Sequence, residues 1–373
     1  MHKVIHSYCG LFFFKYKKGF IVQVDGKYYR TIEASPDESS VTIIDQTLLP
    51  FQFKLLRIRA LNEMKNAIYN MQVRGAPLIG VSGAFGIALT CNEDPSDTSI
   101  KKAKDDLINT RPTAVNLSWA INKLCDKLLT IEENQRAKEA WRWSKNLAEE
   151  DILTNKRIGK AGLKILKELH KDKINILTHC NAGWLATIDY GTALSPIYMA
   201  KEHGMNIHVW VDETRPRNQG MNLTAWELEK ADIPHTVVAD NAGGLLMQEG
   251  MVDCVLVGAD RVGVDGAVCN KIGTYLKALS AKTNKVPFYV AAPKSTFDKN
   301  FSMTNKSFEI EKRDTSELFT MKGINKDGEI LTVNLGNFEG YNPAFDITPP
   351  EFITGIICEE GIIKPENLKE FLG

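Results

Sequence analysis

From residue 173 onward the chain alternates short apolar runs with longer amphipathic stretches. Runs at 174–177, 207–211, 235–239, 252–257 and 287–292 have strand length. Between them, 185–203, 223–231 and 272–281 carry apolar residues at helical spacing. Strand–helix alternation of this kind predicts βαβ units, a parallel sheet and helices on both of its faces. Before residue 173 the pattern is different. Runs at 20–24 and 27–32 flank Asp25-Gly26, which predicts a hairpin, and 41–44 predicts a further strand. Leu61, Met64, Ala67, Ile68 and Met71 predict a helix over 60–71, and a small-residue-rich helix is expected over 78–89. Arg74-Gly75-Ala76-Pro77 reads as the loop between them. Residues 115–171 read as mostly helical, with their many charges on a solvated face. The fold class expected is α/β: an N-terminal domain of short strands and helices over 1–145, then a parallel-sheet domain over 146–373.

Length and composition narrow the classes. The 373 residues accommodate two domains at about 150 each. A chain 43% hydrophobic and 25% charged suits a globular protein. Forty-six basic residues balance 46 acidic ones, which weighs against a dedicated nucleic-acid binder. No apolar run reaches the roughly 18 residues that span a bilayer. The short apolar run at 11–14 is followed by Lys15, Lys17 and Lys18 and does not read as a signal peptide. Seven scattered cysteines without a CxxC pair exclude a disulfide scaffold or zinc ribbon and suit a reducing, cytoplasmic compartment.

In open parallel sheets ligands bind beyond the carboxyl ends of the strands, so the residues after each apolar run are the ones to read. After the first come Thr178-His179-Cys180-Asn181-Ala182-Gly183 and a predicted helix. Cys180 there is either a thiolate supported by backbone N–H groups or a small buried hydrophobe. After the second, Arg215, Arg217 and Gln219 suit an anionic, hydroxylated ligand, or the arginines pair with Asp212 and Glu213. After the third, Asp240-Asn241-Ala242-Gly243-Gly244 can cap the next helix. After the fourth, Asp260 is either a general acid or base or part of an ion-paired region with Arg261. Asn270 and Lys271 stand near a predicted helix start, where a cation is unfavourable unless it meets an anion. Four strand ends offering thiol, carboxylate, amides and cations form a constellation. There is no GxGxxG, P-loop, GxSxG or HExxH, and the seven histidines are dispersed. What remains is chemistry without metal or cofactor on a small phosphorylated, hydroxylated substrate.

These blocks, with Thr110-Arg111-Pro112-Thr113-Ala114-Val115-Asn116-Leu117 and Asn342-Pro343-Ala344-Phe345-Asp346, resemble in order those of the 5-methylthioribose-1-phosphate isomerases. That family is grouped with ribose-1,5-bisphosphate isomerases and the regulatory subunits of translation initiation factor 2B. The resemblance implies a Rossmann-like C-terminal domain, a homodimer, no cofactor and no metal. It implies an aldose–ketose isomerisation within methionine salvage, with Asp260 as proton donor to the ring oxygen and Cys180 assisting transfer of the C2 hydrogen. It carries substrate binding onto Arg74, Gly75, Ala76, Arg111, Gln219, Asn270 and Lys271. Many members read Asp-Asn-Met-Ala-Gly where this chain has Asp240-Asn241-Ala242-Gly243-Gly244. A change expected to lie close to the pocket keeps 5-deoxyribose 1-phosphate open as a substrate. The alternatives are a ribose-1,5-bisphosphate isomerase and a catalytically silent regulatory subunit.

Overall fold

The computed structural model describes residues 22–373 apart from Thr113 and 305–308. The first nineteen residues, and the first two residues of the strand expected at 20–24, lie outside the described residues. Asp25 and Gly26 both adopt positive φ, 50° and 72°, the conformation a tight hairpin turn demands, and join Gln23–Val24 to Lys27–Tyr28. A three-stranded antiparallel sheet follows: Ile32–Ala34, Val41–Ile44 and Leu55–Ile58. Helices Leu61–Tyr69, Ala76–Glu93, Asp97–Ile108 and Val115–Leu128 come next. The 36-residue helix Glu133–Glu168 then spans the point at which the sequence pattern divides the chain, between 145 and 146.

Helix Ala76–Glu93 is buried on every side and is the axis of the N-terminal part. It starts two residues earlier than its apolar pattern indicates. Pro77 lacks an N–H and fits the first helical turn, where that donor would have no partner. Ala76 and Pro77 therefore belong to the helix, not to the loop expected there. Helix Asp97–Ile108 was not foreseen; its charged pattern hides Ile100, Ala103 and Leu107 on one buried stripe.

The C-terminal part is built on a seven-stranded sheet. Its order runs Gly361–Ile363, Gly355–Cys358, Phe288–Ala291, Cys254–Val257, Ile174–Thr178, Ile207–Asp212, His235–Val238. All neighbours are parallel except the terminal pair, Gly355–Cys358 with Gly361–Ile363. Numbered by sequence, the parallel strands stand 3-2-1-4-5-6, the doubly wound order of a Rossmann-like sheet. Alternate residues face opposite cores: Ile176 and Leu256 join one apolar cluster, while Leu177, Val255 and Val257 join the other. Two-sided burial is why these strands read as continuous apolar runs. The order in which strands are added reverses between the parallel neighbours Ile174–Thr178 and Cys254–Val257, which pair as Ile176↔Cys254. A crevice opens at that switch point, above the carboxyl ends of these two strands.

A second sheet of four short strands lies beyond the crevice, in the order Phe297–Asp298, Arg261–Gly263, Val268–Lys271, Phe345–Thr348. No helix among the described residues is long and apolar enough to cross a membrane.

Candidate active site

Cys180 and Asp260 come from the two strands that flank the switch point. Cys180 follows Ile174–Thr178 by one residue, and Asp260 follows Cys254–Val257 by two. Both line one cavity with Arg74, Arg111, Gln219 and Lys271. An adjoining cavity is shared by Arg74, Gly75, Ala76, Cys180, Asp260 and Asn270. Every residue carried over by resemblance thus borders one continuous site. A larger cavity of about 500 Å³, beside Trp119 and Glu150, contains neither the thiol nor the strand-end carboxyl.

Local backbone bonds hold the thiol in place. Cys180 has φ 63°; its N–H donates to Thr214 Oγ1 at 2.8 Å, and its carbonyl accepts from Thr224 Oγ1 at 2.6 Å. The helix expected directly after Gly183 is only a single 3-10 turn, Trp184–Ala186, and the next α-helix begins at Ser195. The helix expected after Gly183 therefore does not support a thiolate at Cys180. Burial pushes its thiol up, against the pull of Arg74 and Lys271, so the sulfur keeps its proton. Asp260 is likewise raised by burial, opposed by Lys271, Arg74 and Arg111. It is not ion-paired with Arg261, which bonds Asp298 at 3.2 Å instead.

Lys271 ends the buried strand Val268–Lys271, and Gly273 rather than Lys271 precedes helix Thr274–Asn284. The unfavourable helix-start position expected for this lysine is therefore not where it sits. Burial lowers its pKa, opposed by the neighbouring Asp260. Its Nζ stands 4.8 Å from the centre of the Phe345 ring. Asn270 Nδ2 donates to Thr274 Oγ1, and Gln219 Oε1 is buried without a partner.

Gly75 has φ 93°, and a Cβ there would stand 2.4 Å from the Ala186 carbonyl oxygen. Only glycine brings the start of helix Ala76–Glu93 this close to the crevice. That helix has no side-chain cap and no acidic residue in its first turn, so its unpaired N–H groups and positive dipole end face the site. Arg74 is fixed by Asn181: Nη1 donates to Oδ1 at 2.5 Å and Nη2 to the carbonyl at 2.8 Å. Asn181 is fixed in turn by Glu227, a buried carboxylate that accepts from Asn181 Nδ2, Trp184 N, Leu185 N and Tyr198 Oη. A lysine at 74 could not make the forked contact. Arg74→Lys should weaken apparent substrate affinity by about 1.5–3 kcal/mol, the scale of a hydrogen bond to a charged group. Titration calorimetry giving an unchanged Kd would remove Arg74 from the binding set.

The remaining sequence candidates fall elsewhere. Arg215 donates to the carbonyls of Pro216 and Leu318, and Arg217 to Glu317, so neither pairs with Asp212 or Glu213. Asp240 accepts from the N–H groups of Thr214 and Arg215 and does not cap helix Gly243–Gln248. Asp240-Asn241-Ala242-Gly243-Gly244 lines neither of these two cavities itself, although Asp240 stands close to His179, which borders one of them.

Arg313 was missed. It borders the cavity beside Arg111, with Nη1 on Glu311 and Nη2 on Glu317. Its only sequence signal was charge alternation after Glu309. Among the described residues one His/Asp/Asp cluster, His179, Asp212 and Asp240, has ligand-atom spacing. Asp212 Oδ2 of this cluster is already engaged by Lys277 Nζ at 2.9 Å.

Residues 72–365 match the Initiation factor 2 subunit family. A methylthioribose-1-phosphate isomerase of Sinorhizobium medicae is 49% identical, over 93% of this chain and 98% of its own. The crystal structure of 5-methylthioribose 1-phosphate isomerase from Pyrococcus horikoshii is 37% identical, with a TM-score of 0.80 over 93% of this chain and 95% of that one. A structure titled translation initiation factor eIF-2B, subunit delta, from A. fulgidus is 42% identical, with a TM-score of 0.76 over 91% and 97%.

Proposed function

The chain belongs to the initiation factor 2 subunit family, and within it we propose that this protein is an aldose–ketose isomerase, converting 5-methylthioribose 1-phosphate into 5-methylthioribulose 1-phosphate in methionine salvage. The observation that carries this reading is the convergence of the Cys180 thiol, the Asp260 carboxyl, raised by burial, and the Lys271 amine on one buried crevice.

The difficulty of the reaction is that phosphate blocks the anomeric oxygen, so the sugar cannot open to a free aldehyde. Asp260, protonated to higher pH than an ordinary carboxyl, supplies a proton to the ring oxygen as the bond from that oxygen to C1 breaks. The C2 hydrogen then moves to C1, with Cys180 at the C1–C2 edge. The 2-hydroxyl loses its proton and C2 becomes the ketone. The proton lent to the ring oxygen equals the one lost from the 2-hydroxyl, so the step balances without a redox cofactor. Arg74, Arg111, Lys271 and the start of helix Ala76–Glu93 hold the phosphate, with Gly75 and Ala76 presenting backbone. Gln219 and Asn270 address the hydroxyls. 5-Deoxyribose 1-phosphate, with no polar group at C5, is a second substrate in this reading.

The initiation-factor relative carries the same fold. A silent subunit, however, has no use for a buried thiol and carboxyl facing one cavity, and this favours catalysis. The protein acts as a homodimer. The supporting feature is an apolar face on the neighbouring helices Gly243–Gln248 and Thr274–Asn284, where Leu245, Leu276 and Leu279 are exposed. Light scattering should give twice the chain mass of 41.7 kDa; a monomer at working concentration would remove this part of the reading. The activity itself is tested by offering the methylthio, deoxy and bisphosphate sugars side by side.

A further inference from the structure

His179 precedes Cys180, borders the cavity shared by Cys180 and Asp260, and joins a buried polar network. Its ring is 1% exposed. Nδ1 lies 2.8 Å from Asp212 Oδ2, and Nε2 lies 2.8 Å from the carbonyl oxygen of Ile272. The structure assigns His179 the role of a doubly protonated positioning residue that clamps the Cys180 strand end to the turn carrying Lys271.

The argument is one of donors and acceptors. A backbone carbonyl can only accept, so Nε2 carries a hydrogen. Asp212 Oδ2 also receives the Lys277 ammonium at 2.9 Å, a contact suited to a carboxylate and not to an acid. Nδ1 therefore donates as well, and both ring nitrogens carry protons. The other Asp212 oxygen is buried with no partner, which leaves the two cations on Oδ2 to balance this carboxylate. The ionisable groups facing the ring are Asp212, Lys277, Asp240 and Asp346. Three acids against one lysine are better balanced with the imidazolium than with a neutral ring.

The placement explains what the ring does. Cys180 is the next residue after His179, and Ile272 is the next residue after Lys271. One ring therefore fixes the backbone beside both cavity groups. The turn is gripped from its other side too: Asp346 accepts from the N–H groups of Gly273 and Tyr275. Gly273, at φ 102°, lies over the ring so closely that a Cβ would be 3.0 Å from Cε1. Gly273 thus leaves little room on that side of the ring.

Selective ¹⁵N labelling of histidine side chains, with the signals assigned by replacing the other histidines, should show both nitrogens of His179 protonated near neutral pH. A single protonated nitrogen would overturn the proposal. This spectrum is recorded on the unsubstituted protein, so it decides the protonation whether or not a variant folds. The kinetic half rests on the isomerase reading. His179→Gln should lower kcat by about 10²-fold, the usual cost of misplacing reacting groups by about an ångström, with KM changed less than roughly threefold. Gly273→Ala, which presses a methyl group onto the ring, should lower kcat in the same way. An unchanged kcat in either folded variant, or a loss confined to KM, would refute the positioning role. If the unsubstituted protein failed to turn over any of the three sugars, the isomerase reading would fall while the spectroscopic result stood.

Discussion

Cys180→Ser and Asp260→Asn should each yield a folded protein that binds the sugar phosphate but turns it over at least about 10³-fold more slowly, within the range for loss of a positioned acid or base. Neither change disturbs the local scaffold. The bonds that seat Cys180, from its N–H to Thr214 and from Thr224 to its carbonyl, are made by its backbone and survive in serine. What serine lacks is the polarisable, more acidic sulfur that the proposed mechanism places beside C2. Asparagine at 260 keeps the shape of the carboxyl but has no proton to give to the ring oxygen. The pH dependence separates the two roles. Burial raises Asp260, so its acid form persists above the ordinary carboxyl range and is lost as pH rises through the shifted pKa. Turnover in the unsubstituted enzyme should fall along that limb, and the limb should vanish in Asp260→Asn. Steady-state kinetics across pH, with thermal melting to establish folding, make the comparison. A folded variant with near-normal kcat would remove its residue from the mechanism.

The parallel sheet was legible because its strands are buried on both faces. Cys254–Val257 and Ile174–Thr178 show as apolar runs for that reason, and the residues after them could be read as strand ends. The smaller sheet was not legible as a sheet. Val268–Lys271 is fully buried yet reads Val-Cys-Asn-Lys, because its polar side chains serve the crevice and the helix start. Lys271 was read as lying close to a helix start, and it instead ends a strand, with helix Thr274–Asn284 beginning three residues later. The hairpin Thr320–Ile324 with Ile330–Asn334 was missed because its second strand is exposed on both faces and offers no alternation. Asn181 and Glu227 escaped for another reason. Asn181 was quoted only as part of a motif, and a buried glutamate inside an amphipathic helix looks like an ordinary polar-face residue. Only the fold reveals that it holds the loop which aims Arg74. Spacing along the chain cannot convey contacts made across 46 residues.

The arrangement of charges around the crevice decides which sugar it takes. Arg111 pairs with Glu311 at 3.5 Å, Arg313 with Glu311 at 2.9 Å and Glu317 at 2.8 Å, and Arg217 with Glu317 at 2.8 Å. Beyond Arg74 and Lys271, the arginines at this mouth are already engaged by carboxylates. One phosphate can be held by Arg74, Lys271, the helix start and a share of Arg111. A second phosphate, on C5, would have to displace Glu311 or Glu317 or rest against Met71, Ala344 and Phe345, the apolar part of the same lining. A methylthio group loses nothing there, since its thioether makes only weak hydrogen bonds and gains by leaving water. An unpaired charge in such a place costs several kcal/mol, and about 3 kcal/mol corresponds to roughly 10²-fold in rate. Methylthioribose 1-phosphate should therefore exceed ribose 1,5-bisphosphate in kcat/KM by at least about 10²-fold, with 5-deoxyribose 1-phosphate nearer the former. Glu317→Gln, by releasing Arg217 and Arg313, should narrow the gap by raising the bisphosphate value. Equal efficiency on the two sugars would mean that these arginines give up their carboxylates on binding, and the bisphosphate would then be the better assignment.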